Sequence, residues 1–257
     1  MKARIKFRKY GVMKFIGHLD VMRFFQKAMR RADIPIAFTG GYSPHMIMSF
    51  AQPLGVGVTS DGEYLDIELK EPITSEDAVN QLNQVMVEGI DVVSFREIPD
   101  DKKCSGMTIV AAAKYQVTLQ ESFKTSDAIK RIPDLWQEKV VNFMNQPEIV
   151  VLKRTKRSEK EMDIKPMIYQ METDKDGIHL FLATGSEQNL KPDLVMETFL
   201  NYIGEKPEEV PLHYHRLEVY ARKPETPATM LRNQGEKATA DIGEQFVSLE
   251  ELGEVVR

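Results

Sequence analysis

Two histidines and a glycine-rich loop contain the side chains best suited to chemistry. His18 begins a helical pattern, whereas His45 lies in segment 39–69, which is punctuated by glycine and proline yet rich in apolar residues. Long ordered loops that hold polar side chains against apolar neighbours commonly form binding sites. His18 and His45 are therefore candidate catalytic residues, as an acid–base pair or an anion site, provided that the loop brings them together. The alternatives are that His18 caps its helix and that the loop only bridges two strands.

The same loop carries an aromatic ring and a hydroxyl beside His45. Tyr42 and Ser43 stand three and two residues before it. In RNA recognition, aromatic rings stack on unpaired bases and polar side chains hydrogen-bond base edges. Tyr42, Ser43 and His45 are therefore candidate nucleic-acid-binding residues.

A row of cations follows the helix predicted for residues 18–32. Arg23, Lys27 and Arg30 stand at i, i+4 and i+7, so they share one helical face. The alternation of strand 4–10 adds Arg4, Lys6 and Arg8 on one side of that strand. Rows of cations bind phosphates, so the helical face and the basic strand are candidate nucleic-acid contacts.

A second basic segment covers residues 153–168, with six Lys or Arg against three acids. It is predicted to form a charged hairpin arm between two strands. The candidate phosphate contacts in it are Lys153, Arg154, Lys156 and Arg157. The alternative is a solvated turn with exposed charges.

Sites for metals, nucleotides and nucleophilic catalysis are not indicated. His213 and His215 project from the same face of a predicted strand, but the sequence places no third ligand beside them. Cys104 is the only cysteine, so one chain has no disulfide, Cys-based zinc site or iron–sulfur cluster. Walker A, Rossmann and G-x-S-x-G sequences are all missing. We therefore expect neither metal nor cofactor.

Charge is distributed unevenly along the 257 residues, whose net charge is −5. Residues 1–60 carry ten Lys or Arg and two Asp, a net charge of +8, whereas the remainder carries 24 Lys or Arg and 37 acids, a net charge of −13. This asymmetry indicates an anionic partner for the first part, unless the acidic part packs against it. No apolar run suits a transmembrane helix or signal peptide, so we expect a cytoplasmic protein without a membrane partner.

The order of predicted elements indicates an α+β fold of two tandem ferredoxin-like (split βαβ) domains with antiparallel sheets. In residues 1–99 the predicted elements are strand 4–10, helix 18–32, strands from 36 and over 62–70, helix 74–88 and strand 90–98. In residues 107–222 they are strand 110–120, helix 126–144, strands 148–155, 165–173 and 178–183, helix 192–202 and strand 213–222. Leu19, Met22, Phe25 and Met29 are predicted to form the apolar face of the first helix. Residues 223–257 are predicted to be an acidic mobile tail with a short helix at 249–255.

Four motifs resemble those of the uncharacterised radical-SAM-linked proteins. They are His18-Leu19-Asp20, Gly41-Tyr42-Ser43-Pro44-His45, Pro53-Leu54-Gly55-Val56 and Gly62-Glu63-Tyr64-Leu65-Asp66. Many members have Pro and Lys or Arg after the histidine, where this chain has Met46-Ile47, so this loop supplies no cation of its own.

The resemblance implies a domain that is fused to, or encoded beside, a radical S-adenosylmethionine protein. Its gene neighbourhoods imply an RNA setting. Because this chain lacks the cluster cysteines, it would be the partner or substrate-presenting domain. We therefore expect an RNA-binding accessory protein, for tRNA or rRNA, that works with such an enzyme. The alternatives are a metal-free endoribonuclease that uses His18 and His45, and a protein-docking module. Catalysis is undecided, and a role other than that of an independent enzyme is favoured.

Overall fold

The computed structural model describes residues 1–120, 132–154, 159–223 and 245–257. Its strands are β1 Lys2–Lys9, β2 Met48–Phe50, β3 Thr59–Glu68, β4 Ile90–Ile98, β5 Val110–Leu119, β6 Val150–Arg154, β7 Glu159–Asp163, β8 Ile168–Asp174, β9 Gly177–Ala183, β10 Leu212–Arg222 and β11 Phe246–Ser248. Its α-helices are α1 His18–Arg31, α2 Ser75–Asn83, α3 Gly106–Ile109, α4 Ile132–Met144 and α5 Pro192–Tyr202. A short 3₁₀ helix, Gly11–Phe15, links β1 to α1.

Nine strands form one sheet with the order β4-β1-β3-β10-β5-β9-β8, in which β2 also pairs with β3 and β11 with β10. Its pairings are antiparallel, except that β3 and β10 run parallel where Thr59 and Ser60 lie opposite His215 and Arg216. Strands β6 and β7 form a separate antiparallel pair. The fold is therefore mixed α+β with a large, mostly antiparallel sheet. The boundaries predicted at 1–99 and 107–222 stay predictions.

Two hydrophobic cores lie along this sheet. The first is formed by residues of 1–98 and the second mainly by residues of 110–249, and we call these two parts the first and second halves. Helix α1 contributes Val21, Phe25, Ala28 and Met29, all buried, because their spacing places them on one helical face. Leu19 was predicted on this face but is 60 % exposed, since it lies about 120° around the helix from Phe25. The apolar end of α1 therefore presents one large side chain to solvent.

The last thirteen residues differ from the predicted mobile tail. Phe246 and Leu249 are buried in the second core. Ser75 exchanges two hydrogen bonds with Val256, at 3.0 and 2.9 Å, and Glu97 and Glu254 pair through their backbones. The helix predicted at 249–255 does not form, because these backbone groups bond to α2 and β4 instead. Residues 224–244 of the predicted tail lie outside the described residues.

Other differences from the prediction are local. The strand expected from residue 36 is reduced to isolated bridges, Ile36 to Leu69 and Phe38 to Met46, and the regular strand begins at Met48. The first part of helix 126–144 lies outside the described residues, and α4 begins at Ile132. Among the described helices, none combines the length and the apolar character that crossing a bilayer requires.

Candidate nucleic-acid interface

The predicted cation row on α1 is solvent-exposed. Arg23, Lys27 and Arg30 are all exposed, and Arg23 forms an i, i+3 ion pair with Asp20 at 3.4 Å. Lys27 and Arg30 form no ion pair with any residue in the described part of the chain. We call Arg23, Lys27 and Arg30 the cation stripe. Two of its three charges are available to an anion from solution.

Two of the three cations predicted on strand β1, Arg4 and Lys6, are paired inside the fold, which corrects the prediction for them, whereas Arg8 is exposed. Arg4 is buried and forms a bidentate ion pair with Asp66, with Nε–Oδ1 and Nη2–Oδ2 distances of 2.7 and 2.9 Å. Lys6 Nζ lies 2.7 Å from Glu218 Oε2 and 2.9 Å from Glu250 Oε2. The strand looked solvent-facing because its alternation does not reveal that β3, β10 and the C-terminal segment supply these carboxylates.

A second group of buried charges joins the two halves. Arg216 donates to Glu63 and to the Gln52 carbonyl oxygen, the latter at 2.6 Å. Lys9 Nζ donates to the Ile16 carbonyl oxygen at 3.0 Å, and burial lowers the pKa of this lysine despite the nearby Glu63. Burial also works against the charge of Arg216, but Glu63 outweighs it and raises the pKa of the guanidinium. These cations serve the fold and are not accessible to a ligand.

Residues 39–45, which include Tyr42, Ser43 and His45, form a loop whose two ends are joined by hydrogen bonds. We call this loop the finger. Thr39 N donates to the His45 carbonyl oxygen at 2.9 Å, and His45 N donates to Thr39 Oγ1 at 3.1 Å. The His45 ring also lies 3.1 Å from Thr39 Oγ1, through Nδ1. Gly41 has a φ of +97°, which favours glycine. The finger leaves Tyr42 fully exposed at its tip, while His45 closes its base.

His18 lies in a cleft between the two halves instead of beside His45. Its ring meets Phe50 edge-on, with 5.0 Å between centroids. Phe50 follows His45 by five positions, which in extended chain corresponds to a Cα–Cα distance of roughly 15 Å. In the described residues no hydrogen bond or ring contact joins the two histidines. The structure therefore does not assemble the predicted acid–base pair.

The cleft has a volume of about 350 Å³ and draws on four parts of the chain. Helix α1, β2 with the loop after it, α3 and the loop after β9 all contribute. Its lining consists of His18, Met22, Met48, Ser49, Phe50, Ala51, Gln52, Pro53, Met107, Gly185 and Ser186. The methionine spacing in the sequence gives no sign of this cleft, because its walls meet only in the folded chain.

A network of hydrogen-bonded side chains, which the sequence analysis did not predict, lies where β3 meets β10. Thr59 Oγ1 is 2.9 Å from His213 Nε2 and 2.7 Å from His215 Nδ1, and His215 Nε2 is 2.9 Å from Asp61 Oδ2. When His215 is neutral, Asp61 accepts its Nε2–H, so its Nδ1 accepts the Thr59 hydroxyl proton. The sequence predicted that His213 and His215 share a face. It did not predict their partners, because Thr59 and Asp61 are about 150 residues away in sequence. This hydrogen-bond network joins the two halves where β3 and β10 pair in parallel.

The second basic segment is described only in part. Lys153 and Arg154 end β6 and lie opposite Lys160 and Glu159 of β7, so two antiparallel strands flank this segment. Lys156 and Arg157 lie outside the described residues.

Comparison with known proteins places the chain in a family. No curated protein matches it. The family model DUF2344, described as an uncharacterised protein conserved in bacteria, matches residues 2–192, well over half of the chain. That description mentions no radical S-adenosylmethionine protein, so this link stays a prediction. The matched residues include the cation stripe, the finger and the lining of the cleft. The chain therefore belongs to the DUF2344 family.

Proposed function

We propose that this protein is an RNA-binding accessory protein, for tRNA or rRNA, that works with a radical S-adenosylmethionine partner enzyme. The observation that carries RNA binding is the cation stripe, in which Lys27 and Arg30 are exposed and have no ion-pair partner in the described residues. Folding neutralises Arg4 and Lys6 within the protein but leaves these charges free. Cations that the fold does not use are suited to phosphates.

The finger supports RNA because it offers a flat ring to solvent. Tyr42 buries none of its side chain against the protein. Aromatic rings at such tips stack on unpaired bases, and stacking is tolerant of base identity. Ser43 follows Tyr42 in the chain and is exposed, so its hydroxyl is available for hydrogen bonds to a base edge, and the exposed His45 closes the base of the same loop.

We also propose that the two halves are ferredoxin-like units. The order β4-β1-β3-β2 in the first half recurs as β10-β5-β9-β8 in the second. In each half a helix follows the first strand and another precedes the last. The second half adds the β6–β7 arm after α4. This repetition supports a duplicated split βαβ plan whose sheets merge where β3 pairs with β10.

An exposed apolar patch supports docking of the partner enzyme. The patch comprises Val12, Phe15, Leu19 and Val56, which are 74, 65, 60 and 63 % exposed. A hydrogen bond from Gly57 N to the Lys14 carbonyl oxygen, at 2.8 Å, brings Val56 to the 3₁₀ helix. Clusters of exposed apolar side chains mark protein interfaces.

Docking is tested with Phe15→Ser/Leu19→Ser, co-expressed with a radical S-adenosylmethionine protein encoded beside the gene. We expect the double variant to lose the complex while RNA affinity is unchanged. A complex that survives both substitutions would remove the docking role of the patch.

RNA binding is tested by titrating labelled tRNA and rRNA fragments with the protein over a salt series. The comparison is between wild type and Arg23→Ala/Lys27→Ala/Arg30→Ala. At about 0.7 of a counterion per phosphate contact on single strands, the slope of log affinity against log salt should fall by about 2. The fall should be smaller if the Arg23–Asp20 pair persists on the RNA.

The matched control removes three exposed cations elsewhere, in Lys102→Ala/Lys103→Ala/Lys175→Ala. It lowers net charge equally, so it should leave the salt slope near that of wild type. Equal loss in both triple variants would mean that overall charge attracts the RNA and the stripe does not contact it. Absence of wild-type binding at low salt would refute the RNA function.

A further inference from the structure

The cleft beside α1 has polar groups that the fold leaves without hydrogen-bond partners. The His18 ring and the Ser49 and Ser186 hydroxyls all line it, and none makes a side-chain hydrogen bond within the described part of the chain. Polar side chains in partly buried positions normally find protein partners or water. His18 and Ser49 are partly buried and Ser186 is exposed, so two partly enclosed polar groups and one accessible hydroxyl around one cavity point to a ligand that hydrogen-bonds.

Apart from Gln52, whose amide bonds to Asn189 at 3.4 Å, the remaining side chains of the walls are apolar. Met22, Met48 and Met107 contribute thioethers, and Phe50 and Pro53 contribute ring faces. Met107 is 60 % exposed at the cleft, so its thioether is accessible to a ligand there. Apolar walls with a few convergent polar groups are typical of small-molecule sites, and about 350 Å³ lies near the lower end of their range.

The cleft and the cation stripe share helix α1. Met22 lines the cleft, and Arg23, the next residue, begins the stripe. Because a helix with its side chains is only about 10–12 Å across, a ligand in the cleft can continue around α1 to the cations. The ligand that combines a flat heterocycle, hydrogen-bonding edges and an attached phosphate chain is a polynucleotide.

We propose that this cleft takes a single unpaired nucleobase of the bound RNA, with His18, Ser49 and Ser186 hydrogen-bonding its edge. The proposal rests on the proposed RNA function and deepens it by naming single-stranded RNA as the substrate class. A base within a duplex is stacked and its pairing edge is occupied, so it cannot enter. The cleft thus selects single strands, whereas the stripe contributes affinity for phosphates of either form.

The test uses a ten-nucleotide single-stranded RNA with one central 2-aminopurine, and the same strand annealed to its complement. Wild type should bind the single strand more tightly and change the 2-aminopurine fluorescence on binding. His18→Leu removes the imidazole, and Ser186→Phe fills the cleft from an exposed loop position. Each should weaken single-strand binding about tenfold and abolish the fluorescence change, with an unaltered salt slope.

His179→Leu is the matched control, since His179 also sits on the second half but lies outside the cleft, beside Asp174 at 2.9 Å. It should behave as wild type. Equal binding of single strand and duplex, or an unchanged fluorescence response in both cleft variants, would overturn the nucleobase site. In that outcome a salt-dependent affinity lost in the stripe variant would still uphold RNA binding. Absence of any RNA binding would overturn both.

Discussion

Replacing Asp66 by Asn should destabilise the protein strongly, because it isolates a buried guanidinium. The Arg4 and Asp66 side chains are 2 % and 10 % exposed. Besides Asp66, Arg4 donates to the Cys104 carbonyl oxygen at 2.9 Å and to that of Leu249 at 3.3 Å, and Gly106 N donates to Asp66 at 2.7 Å. Breaking a buried pair by neutralising one partner costs about 3–5 kcal/mol. The same substitution should therefore loosen β1, the linker between the halves and the C-terminal segment together.

The assay is equilibrium unfolding in urea, followed by the fluorescence of Trp136 and by circular dichroism. Trp136 is the only tryptophan and is buried against Phe199 in the second core, far from Asp66 along the chain. If the continuous sheet couples the halves, the Trp136 transition should shift as much as the circular dichroism does. An unchanged m value would show that stability changed and the extent of unfolding did not.

The control is Glu209→Gln, which breaks an exposed pair with Lys206 whose side chains are 65 % and 66 % exposed. Such pairs contribute about 0–1 kcal/mol. A loss below about 1 kcal/mol for Asp66→Asn, similar to the control, would refute the argument that the buried pair ties these segments. A shift seen only by circular dichroism would instead show that the halves unfold separately.

Two further predictions concern pH and backbone geometry. Burial raises the pKa of the Glu250 carboxyl, but hydrogen bonds from Lys6 and Ser94 outweigh it and hold the pKa below its usual value. The stabilisation is therefore complete above about pH 4.5 and is lost as pH falls through the lowered pKa, so Glu250→Gln should destabilise at pH 7 and match wild type at the acid end of a urea series. Gly89→Ala should cost more than about 1 kcal/mol in thermal unfolding, since φ is +95° and the new Cβ would lie 2.6 Å from Met13 Cγ. Gly41→Ala, at φ +97° with open space around it, is the control and should cost only the strain of about 1 kcal/mol; equal losses would mean that the contact at Gly89 is relieved.

Local pattern predicted those elements whose own residues decide their structure. Strand Ile90–Ile98 and helix Pro192–Tyr202 have the predicted bounds, because each has clear apolar spacing and a marked end. The strand predicted from residue 36 was wrong, since Ile36 forms only an isolated bridge with Leu69 and regular pairing starts at Met48. Pattern alone does not report which distant strand lies alongside, and β10 reaches β3 from 154 to 156 residues away.

The candidate site also has one part that local spacing predicts and one part that depends on contacts between distant segments. The cation stripe follows from i, i+4 and i+7 spacing on one helix, and its three side chains are exposed in the structure, while its role as a phosphate contact stays a prediction. The cleft does not follow from any spacing, because Met22, Met107 and Ser186 come together only when the loop after β9 folds against α1. His18 stays a candidate site residue, but no hydrogen bond or ring contact in the described residues joins it to its predicted partner His45.

The cations of residues 1–60, which cause the charge asymmetry of the sequence, have two different roles in the folded protein. In the part of the chain that the structure describes, the acidic part packs against the basic part at β1, where Asp66, Glu218 and Glu250 neutralise Arg4 and Lys6. Those cations are used in holding the sheet, the linker and the C-terminal segment together. Alternation along β1 directs Arg4 and Lys6 away from Ala3, Ile5 and Phe7, which pack in the first core with α1. No described carboxylate reaches Lys27 or Arg30. The net charge of residues 1–60 therefore overstates what a ligand meets, and the part that the fold leaves unpaired lies beside the cleft.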